Sequence, residues 1–343
     1  MIERFFKNEI SLKRLRRFKS VRRAVWSLWI TVIMLFVSVT AEVWVNNKPM
    51  VMSYEGSIYF PVLHDRHPSA YGQEGFVTDY RALDLKSGGN WAVWPLIRWN
   101  PYESNIAVET YPSPPTQVNW LGTDDRGRDV IARLVYGFRY SMGFALAVWI
   151  FAFGTGVLAG ATMGYWGGKV DLIGQRVVEI FDSLPYLLML LTLIALLGAN
   201  LWLLVAFSTF LGWMRISTYM RAEFLKLRKR EFVEAAKAQG VGTFRILFRH
   251  ILPNGLGPLI TFSPTEIAAN IYTLAILDYL GLGLPPPTPS WGELLQEAQS
   301  NFTIAWWLAV YPSLAMVIAL TSLTFIGEGV RAAYDPRKAG ILT

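Results

Sequence analysis

The stretch EFVEAAKAQGVGTFRILFRHILPN, Glu231 to Asn254, is the one long polar and strongly basic interval in the apolar second half of the chain. Residues from Glu231 to Gln239 favour a helix, and Gly240 can adopt the left-handed conformation that ends it. Thr243 can cap a second helical run, which Pro253 ends. We therefore predict a compact helical knob between two hydrophobic segments.

The surface of this knob has two interpretations. Ala235 and Ala236 leave the first helix nearly smooth, so the backbone of another protein could approach closely, and Glu234 would be a charged group on that face. The same spacing also fits a solvated loop between two membrane spans, whose charges only follow topology rules. On spacing alone the solvated loop is the simpler interpretation.

Composition places the chain in a membrane. Of its 343 residues, 53% are hydrophobic, which is too apolar for a soluble domain of ordinary composition. The chain has no cysteine, so disulfides and thiolate metal sites are excluded. Its three histidines, His64, His67 and His250, are too scattered to predict a metal site.

The net charge of +7 could indicate a nucleic-acid or anionic-membrane partner, so its distribution matters. One basic cluster crowds the first 23 residues, and another lies between Arg221 and Arg249. Both clusters flank apolar spans, where the positive-inside rule predicts a cytoplasmic location. This explains the basicity without nucleic acid.

The apolar runs predict an all-α membrane protein with six spans and both termini in the cytoplasm. A cleaved signal peptide is the alternative for the first run, but that run is longer than a usual signal sequence. The predicted spans are Ala24 to Ala41, Tyr140 to Gly168, one from Ile173 or Val177, one ending near Arg221, Gly255 to Leu284, and Thr303 to Gly327.

These spans predict five regions along the chain. They are a basic N-terminal segment (1–23), the first helix (24–45), an external segment ending in an amphipathic helix (46–139), a five-helix core (140–330) that includes the loop 222–254, and a cytoplasmic tail (331–343). Within the second span, five glycines indicate close helix packing: Gly143, Gly154, Gly156, Gly160 and Gly164.

Local signals also describe the external parts. Ser57 to Leu63 and Trp91 to Trp99 could form a small sheet. Asp129 and Arg133 have the i,i+4 spacing of an ion pair on the amphipathic helix. Ser290 and Glu293 form a capping box that starts a short helix, and Asp278 is expected at the outer membrane boundary.

Four charged residues fall within or beside predicted spans. Glu179, Asp182 and Arg215 lie at the inner edge of the bilayer, where charges must face water, protein or one another. Arg215 is expected to pair with Asp182 or Glu179, either as a lock between helices or as a gate. Glu266 is a candidate carboxylate of a transport pathway, and the alternative is a buried hydrogen bond between helices.

Several catalytic motifs are absent from the sequence. It contains no G-x-x-x-x-G-K-[ST] loop, so this chain is not expected to hydrolyse ATP. It also contains no H-E-x-x-H and no G-x-S-x-G. We therefore predict no enzymatic activity, with an intramembrane enzyme of the envelope as a remote alternative.

Three distinct sequence motifs occur in the order found in permeases of the peptide/nickel ABC importer family, which the chain resembles. They are LGTDDRGRDV before the second span, the E-A-A…G…L-P pattern of the knob, and LGLG…PPTP…WG after the fifth span. The resemblance implies the type I importer permease fold. It also implies that the knob docks on an ATPase through Glu234, Ala235, Ala236, Gly240, Leu252 and Pro253.

The long insert, residues 46–118, resembles the Yej-type subgroup, which is associated with oligopeptide and microcin C uptake. The resemblance implies a bacterial inner-membrane complex with a sister permease, two ATPase domains that bind ATP and Mg²⁺, and a periplasmic solute-binding protein. The chain itself would need no cofactor and no nucleic acid. A permease for nickel or another small solute is the alternative, which the scarcity of histidine and cysteine disfavours.

Overall fold

The structure is a computed structural model that describes residues 9–85 and 87–335. The predicted basic residues Arg4, Lys7, Arg337 and Lys338 lie outside the described residues. The chain divides into two compact units. Unit 1 comprises the described parts of Met1–Thr31, Ser141–Pro285 and Val317–Thr343, and unit 2 comprises Val32–Tyr140 and Pro286–Met316.

The described residues are mostly helical, as predicted. The helices are α1 (Glu9–Ser20), α2 (Arg22–Val39), α3 (Ala41–Trp44), α4 (Val130–Trp166), α5 (Gly168–Asp182), α6 (Tyr186–Leu197), α7 (Leu201–Leu227), α8 (Glu231–Ala238), α9 (Thr243–Arg245), α10 (Leu252–Tyr279), α11 (Trp291–Ser300) and α12 (Trp306–Tyr334). The strands are β1 (Val51–Tyr54), β2 (Ser57–Tyr59) and β3 (Trp91–Val93).

Within the described ranges, four helices are long and apolar enough to cross a membrane: α2, α4, α7 and α12. The pair α5 and α6 is bent by 76° and counts as a fifth candidate, either a broken span or a re-entrant loop. The predicted fifth span corresponds to α10, a continuous 28-residue helix that contains Pro258 and Pro264. The predicted total of six spans stays a prediction.

Helix α4 is continuous for 37 residues. The separate amphipathic helix that was predicted before the second span is therefore wrong, because its residues form the first turns of the same helix as the span. No proline occurs between Val130 and Trp166 to break the backbone hydrogen bonds.

Helices α4 and α7 approach closely along a row of glycines spaced four residues apart, as predicted for three of the five. A Cβ atom on Gly156, Gly160 or Gly164 would lie 2.7, 2.3 or 2.5 Å from the nearest atom of α7. At Gly143 and Gly154, by contrast, a Cβ atom would meet nothing within 4 Å, so these two glycines make no close helix contact within the described residues. The glycine row lets the two backbones meet.

Unit 2 contains a small antiparallel sheet with the strand order β2-β1-β3. Its core consists of Met52, Tyr71, Tyr80 and Leu83. The predicted sheet is confirmed, although β2 and β3 are shorter than predicted and the central strand β1 was not predicted. Both are short because the central strand β1 offers only four residues for pairing.

Asp278 fixes the turn that follows α10. Its Oδ1 accepts a hydrogen bond from the Leu284 backbone N–H at 2.7 Å, and a Cβ atom on Gly283 would lie 1.8 Å from the same oxygen. The side chain is buried. Asp278 is therefore a structural carboxylate that folds the LGLG segment back onto the helix end.

Substitution of Gly160 tests the α4–α7 contact. We expect Gly160→Ala to destabilise the protein by about 1–3 kcal/mol, because the added methyl group would overlap the Ser217 carbonyl oxygen. Thermal unfolding in detergent measures the effect. Gly154→Ala is the matched control, since the same methyl group enters open space there and raises helix propensity by about 1 kcal/mol. Equal melting temperatures for the two variants would contradict the packing.

Candidate functional site

The helical knob, Glu231–Asn254, begins with α8 and turns at Gly240. Gly240 has a φ of +73°, in the left-handed region, which confirms the predicted helix end. Its backbone N–H donates to the Lys237 carbonyl oxygen at 3.0 Å. The second run starts at Thr243, but its N-cap is Gly242 and no side chain caps it, so the predicted cap by Thr243 is not formed.

Pro253 does not end the second run, and this part of the prediction is wrong. The chain stays helical from α9 through a π-helical stretch, Ile246–Ile251, and into α10. Pro253 lies in the first turn of α10, where a missing backbone N–H is tolerated. The knob is therefore directly continuous with a long helix of unit 1.

The inner face of the knob is apolar and buried. Val233, Ala236, Ile246 and Ile251 pack in one cluster with Met220 and Phe224 of α7 and Leu259 of α10. Ala236 belongs to this inner face, so it supports the knob from inside and does not contribute to a smooth outer surface. The knob thus packs against two long helices at once.

The outer face of the knob is exposed. Ala235 and Glu234 are exposed, and within the described residues Glu234 forms no ion pair. Phe244 is 75% exposed and stacks on Phe248, with ring centroids 5.8 Å apart. Of the other predicted docking residues, Pro253 is exposed and Leu252 is partly buried. A carboxylate and an aromatic pair are therefore available to another protein.

Arg215 pairs with Glu266, and the predicted pairing with Asp182 or Glu179 is wrong. The Arg215 Nη1 lies 3.3 Å from Glu266 Oε1 and joins α7 to α10. Glu179 instead accepts a hydrogen bond from Arg176 at 2.6 Å, three residues earlier on α5. The Glu179 carboxylate, which was a predicted partner of Arg215, thus pairs with its i,i+3 neighbour Arg176. Asp182 is exposed at the end of α5.

The LGTDDRGRDV segment and α11 meet in a buried ion network in unit 2. Arg128 Nε donates to Asp124 at 2.6 Å, and its Nη2 contacts Glu293 at 3.3 Å and Glu297 at 3.2 Å. Arg133 bonds to Glu293 and lies 3.3 Å from Asp124. The network fastens the LGTDDRGRDV segment to α11.

Burial, together with an excess of carboxyl groups, raises the pKa of two acidic residues in this network. Three carboxyl groups, those of Asp124, Glu293 and Glu297, share two guanidinium groups, and the Asp125 carboxylate lies within 4.8 Å of Asp124 and Glu297. Burial, reinforced by Asp124 and Asp125, raises the pKa of Glu297 to about 8. Burial also raises the pKa of Asp124, despite the opposing arginines.

Asp129 is not the partner of Arg133, so the predicted i,i+4 ion pair is wrong. Its Oδ1 accepts the Ala132 backbone N–H at 2.9 Å, which caps the start of α4, and its Oδ2 accepts from Asn119 at 2.9 Å. Burial raises the pKa of Asp129 to about 6. Capping of orphan backbone donors took precedence over the ion pair.

The prediction of a cap at Ser290 is confirmed. Its hydroxyl oxygen accepts from the backbone N–H groups of Gly292 and Glu293 at 3.1 and 3.4 Å. The role of Glu293 and Glu297 in an ion network was missed. A sequence signal existed, because the i,i+4 spacing of these residues places two carboxylates on one face of α11, and the arginines of LGTDDRGRDV needed partners.

Residues 156–340 match the family described as "Binding-protein-dependent transport system inner membrane component", which is more than half of the chain. The chain belongs to this family. This permease is 41% identical to the inner membrane ABC transporter permease protein YejE of Escherichia coli (strain K12), over 96% of this chain and 98% of the relative.

Two further relatives of the permease have similar descriptions. The peptidoglycan transport system permease protein YejE of Agrobacterium fabrum is 38% identical, over 95% of this chain and 93% of the relative. The oligopeptide transport system permease protein OppC of Bacillus subtilis (strain 168) is 34% identical, over 65% of this chain and 73% of the relative. The first two relatives match the insert as well as the core, and the permease is a multi-pass inner membrane protein.

Arg128 tests the ion network. We expect Arg128→Gln to destabilise the permease by about 3–5 kcal/mol, because removal of one partner leaves buried carboxylates uncompensated. Melting in detergent, followed by tryptophan fluorescence, measures the loss. Arg126→Gln is the control, since Arg126 is exposed and lies 3.9 Å from Asp125, and a change within about 0.5 kcal/mol is expected there. Similar losses in both variants would contradict the network.

Glu297 predicts a pH dependence. Its folded-state pKa of about 8 lies above the ordinary value of about 4.3 for glutamate. The contribution of Glu297 to the free energy of unfolding is therefore fully present below about pH 4.3 and is lost as the pH rises through about 8. The melting temperature should fall between pH 5.5 and 8.5, and we expect this fall to be smaller in Glu297→Gln. Each kcal/mol of lost free energy of unfolding corresponds to about 2–4 °C. Parallel pH profiles for the two proteins would refute the assignment.

Proposed function

We propose that this permease is one of two pore-forming subunits of an ATP-driven importer of peptides in the bacterial cytoplasmic membrane. The observation that carries the proposal is the similarity to permeases over 96% and 95% of the chain. One of these relatives is described by peptidoglycan transport and a third by oligopeptide transport. Short peptides, including the peptide portion of peptidoglycan fragments, are the substrate class that these descriptions share.

The knob is the contact for an ATPase. Its outer face offers Glu234, which has no ion pair within the described residues, and the stacked Phe244 and Phe248. Its inner face packs against α7 and α10, so a displacement of the knob moves both helices. A chain without a phosphate-binding loop needs a partner for ATP hydrolysis. We therefore assign ATP and Mg²⁺ to that partner, and no cofactor or reaction to this chain.

The charge distribution supports the orientation of the chain. With both termini and the knob in the cytoplasm, most of the 32 lysines and arginines lie on the cytoplasmic side. Two ATPase domains then bind from inside, and the insert 46–118 faces the periplasm, where a solute-binding protein delivers the peptide. A sister permease completes the pathway.

The charged residues of unit 1 mark this pathway. Arg215 and Glu266 pair between α7 and α10, and both side chains are accessible. We assign Glu179 and Asp182, in the last turn of α5 before the 76° bend, to the inner gate. Charges at this depth are costly against lipid, which favours a water-lined or protein-lined position.

An uptake experiment with a radiolabelled tripeptide tests the function. The proteoliposomes contain the permease, its sister subunit, the ATPases and the binding protein. ATP-dependent accumulation is expected, and an excess of a peptidoglycan tripeptide should compete. Accumulation of nickel without competition by peptides would instead support the metal alternative.

Variants of the knob test the coupling. We expect Glu234→Lys and Gly240→Trp to insert normally, to lower ATPase binding about tenfold, and to abolish uptake, because one reverses a contact charge and the other obstructs the turn. Co-purification and proteoliposome uptake measure the two steps. Glu109→Lys, an exposed charge reversal on the insert, is the control. Normal ATP-driven uptake by both knob variants would rule out this coupling role.

A further inference from the structure

The pair between Arg215 and Glu266 has an unusual position. Arg215 lies 14 residues from the start of α7 and 12 from its end, or about 20 Å from either end at 1.5 Å per residue. The hydrocarbon core of a bilayer is about 30 Å thick. An α7 that crosses the bilayer carries Arg215 within the span, yet the Arg215 side chain is 71% exposed within this chain.

The opposite face of α7 is apolar. A groove of about 700 Å³ is lined there by α4 and α7 side chains, among them Phe151, Trp202 and Trp213. Arg215 follows Trp213 by two residues, so the two side chains leave the helix about 200° apart. Arg215 therefore points away from this apolar face.

Much of the hydrogen-bonding capacity of Arg215 is unused. A guanidinium group has five N–H donors, and within residues 9–85 and 87–335 Arg215 makes the single ion pair with Glu266 at 3.3 Å. Glu266 is itself 31% exposed. One turn further along α10, Asn270 donates to the Ala145 carbonyl oxygen at 3.3 Å, which adds a polar group to the same face.

We propose that Arg215 and Glu266 recognise the charged termini of a peptide in the translocation pathway, which rests on the proposed function. Arg215 binds the C-terminal carboxylate, for which a planar guanidinium fork is suited, and Glu266 binds the N-terminal ammonium group. When no terminus is present the two residues pair with each other. As the peptide passes, Arg215 and Glu266 each exchange their mutual ion pair for an ion pair with one peptide terminus.

This exchange keeps the affinity low. An isolated guanidinium group would hold a carboxylate strongly in surroundings of low dielectric, and release would be slow. A partner that returns as the ligand leaves reduces the net gain, which suits a site that must be entered and left in each cycle. The pair therefore selects zwitterionic peptides without trapping them.

Capped peptides test the assignment residue by residue. We measure uptake of three peptides in the reconstituted complex: a free tripeptide, its N-acetyl form and its C-terminal amide. Each peptide is tested with the unmodified permease, Arg215→Gln and Glu266→Gln. We expect Arg215→Gln to lower uptake of the free and N-acetyl peptides about tenfold and uptake of the amide less than twofold. For Glu266→Gln the N-acetyl peptide should be the insensitive one.

The design separates this inference from its alternatives. The binding protein is unchanged, so its own preferences cancel in the ratio of variant to unmodified permease. Arg176→Gln is the matched control, since Arg176 is also 71% exposed and paired with a glutamate. It should change uptake of all three peptides by one common factor.

Two results would overturn the inference while leaving the proposed function intact. One is an equal reduction for all three peptides in Arg215→Gln and Glu266→Gln. The other is loss of co-purification with the sister subunit in these variants, which would make the pair a subunit contact. Failure of the unmodified complex to accumulate any of the three peptides would instead refute the proposed function itself.

Discussion

A charge that is removed from water needs a partner, and this requirement organises both units of the permease. In unit 2, Arg128 and Arg133 are almost completely buried, and α11 supplies the carboxyl groups of Glu293 and Glu297 as their partners. In unit 1, Asp171 of α5 bonds to Arg221 of α7. These pairs lie between segments far apart in sequence, so each fixes a contact that apolar packing alone would leave free to slide.

Close packing gives the paired charges a rigid setting. The glycine row of α4 lets its backbone meet α7, and the knob packs on α7 at Phe224 and on α10 at Leu259. Arg215 lies nine residues from Phe224, and Glu266 seven residues from Leu259, which is about 14 and 11 Å along the two helices. The knob and the pair of Arg215 and Glu266 therefore lie on the same two helices, α7 and α10.

Some local signals were readable from the sequence, and contacts between distant segments were not. The left-handed turn at Gly240 and the cap by Ser290 depend on neighbouring residues, and both were predicted correctly. The partner of Arg215 depends on how α7 and α10 pack, and the i,i+3 pairing of Glu179 with Arg176 could not be weighed against that packing in advance. Gly143 and Gly154 show the same limit, because composition identifies glycines but not the face that meets another helix.

Exposure distinguishes the pair of Arg215 and Glu266 from the buried ion network of unit 2. The guanidinium of Arg128 has no access to a ligand, because burial and three carboxylates use its donors, and its role is to hold two segments together. Arg215 keeps donors and surface at a depth where an exposed charge is costly against lipid. Its exposure is consistent with a site that must open to a passing charge and close behind it.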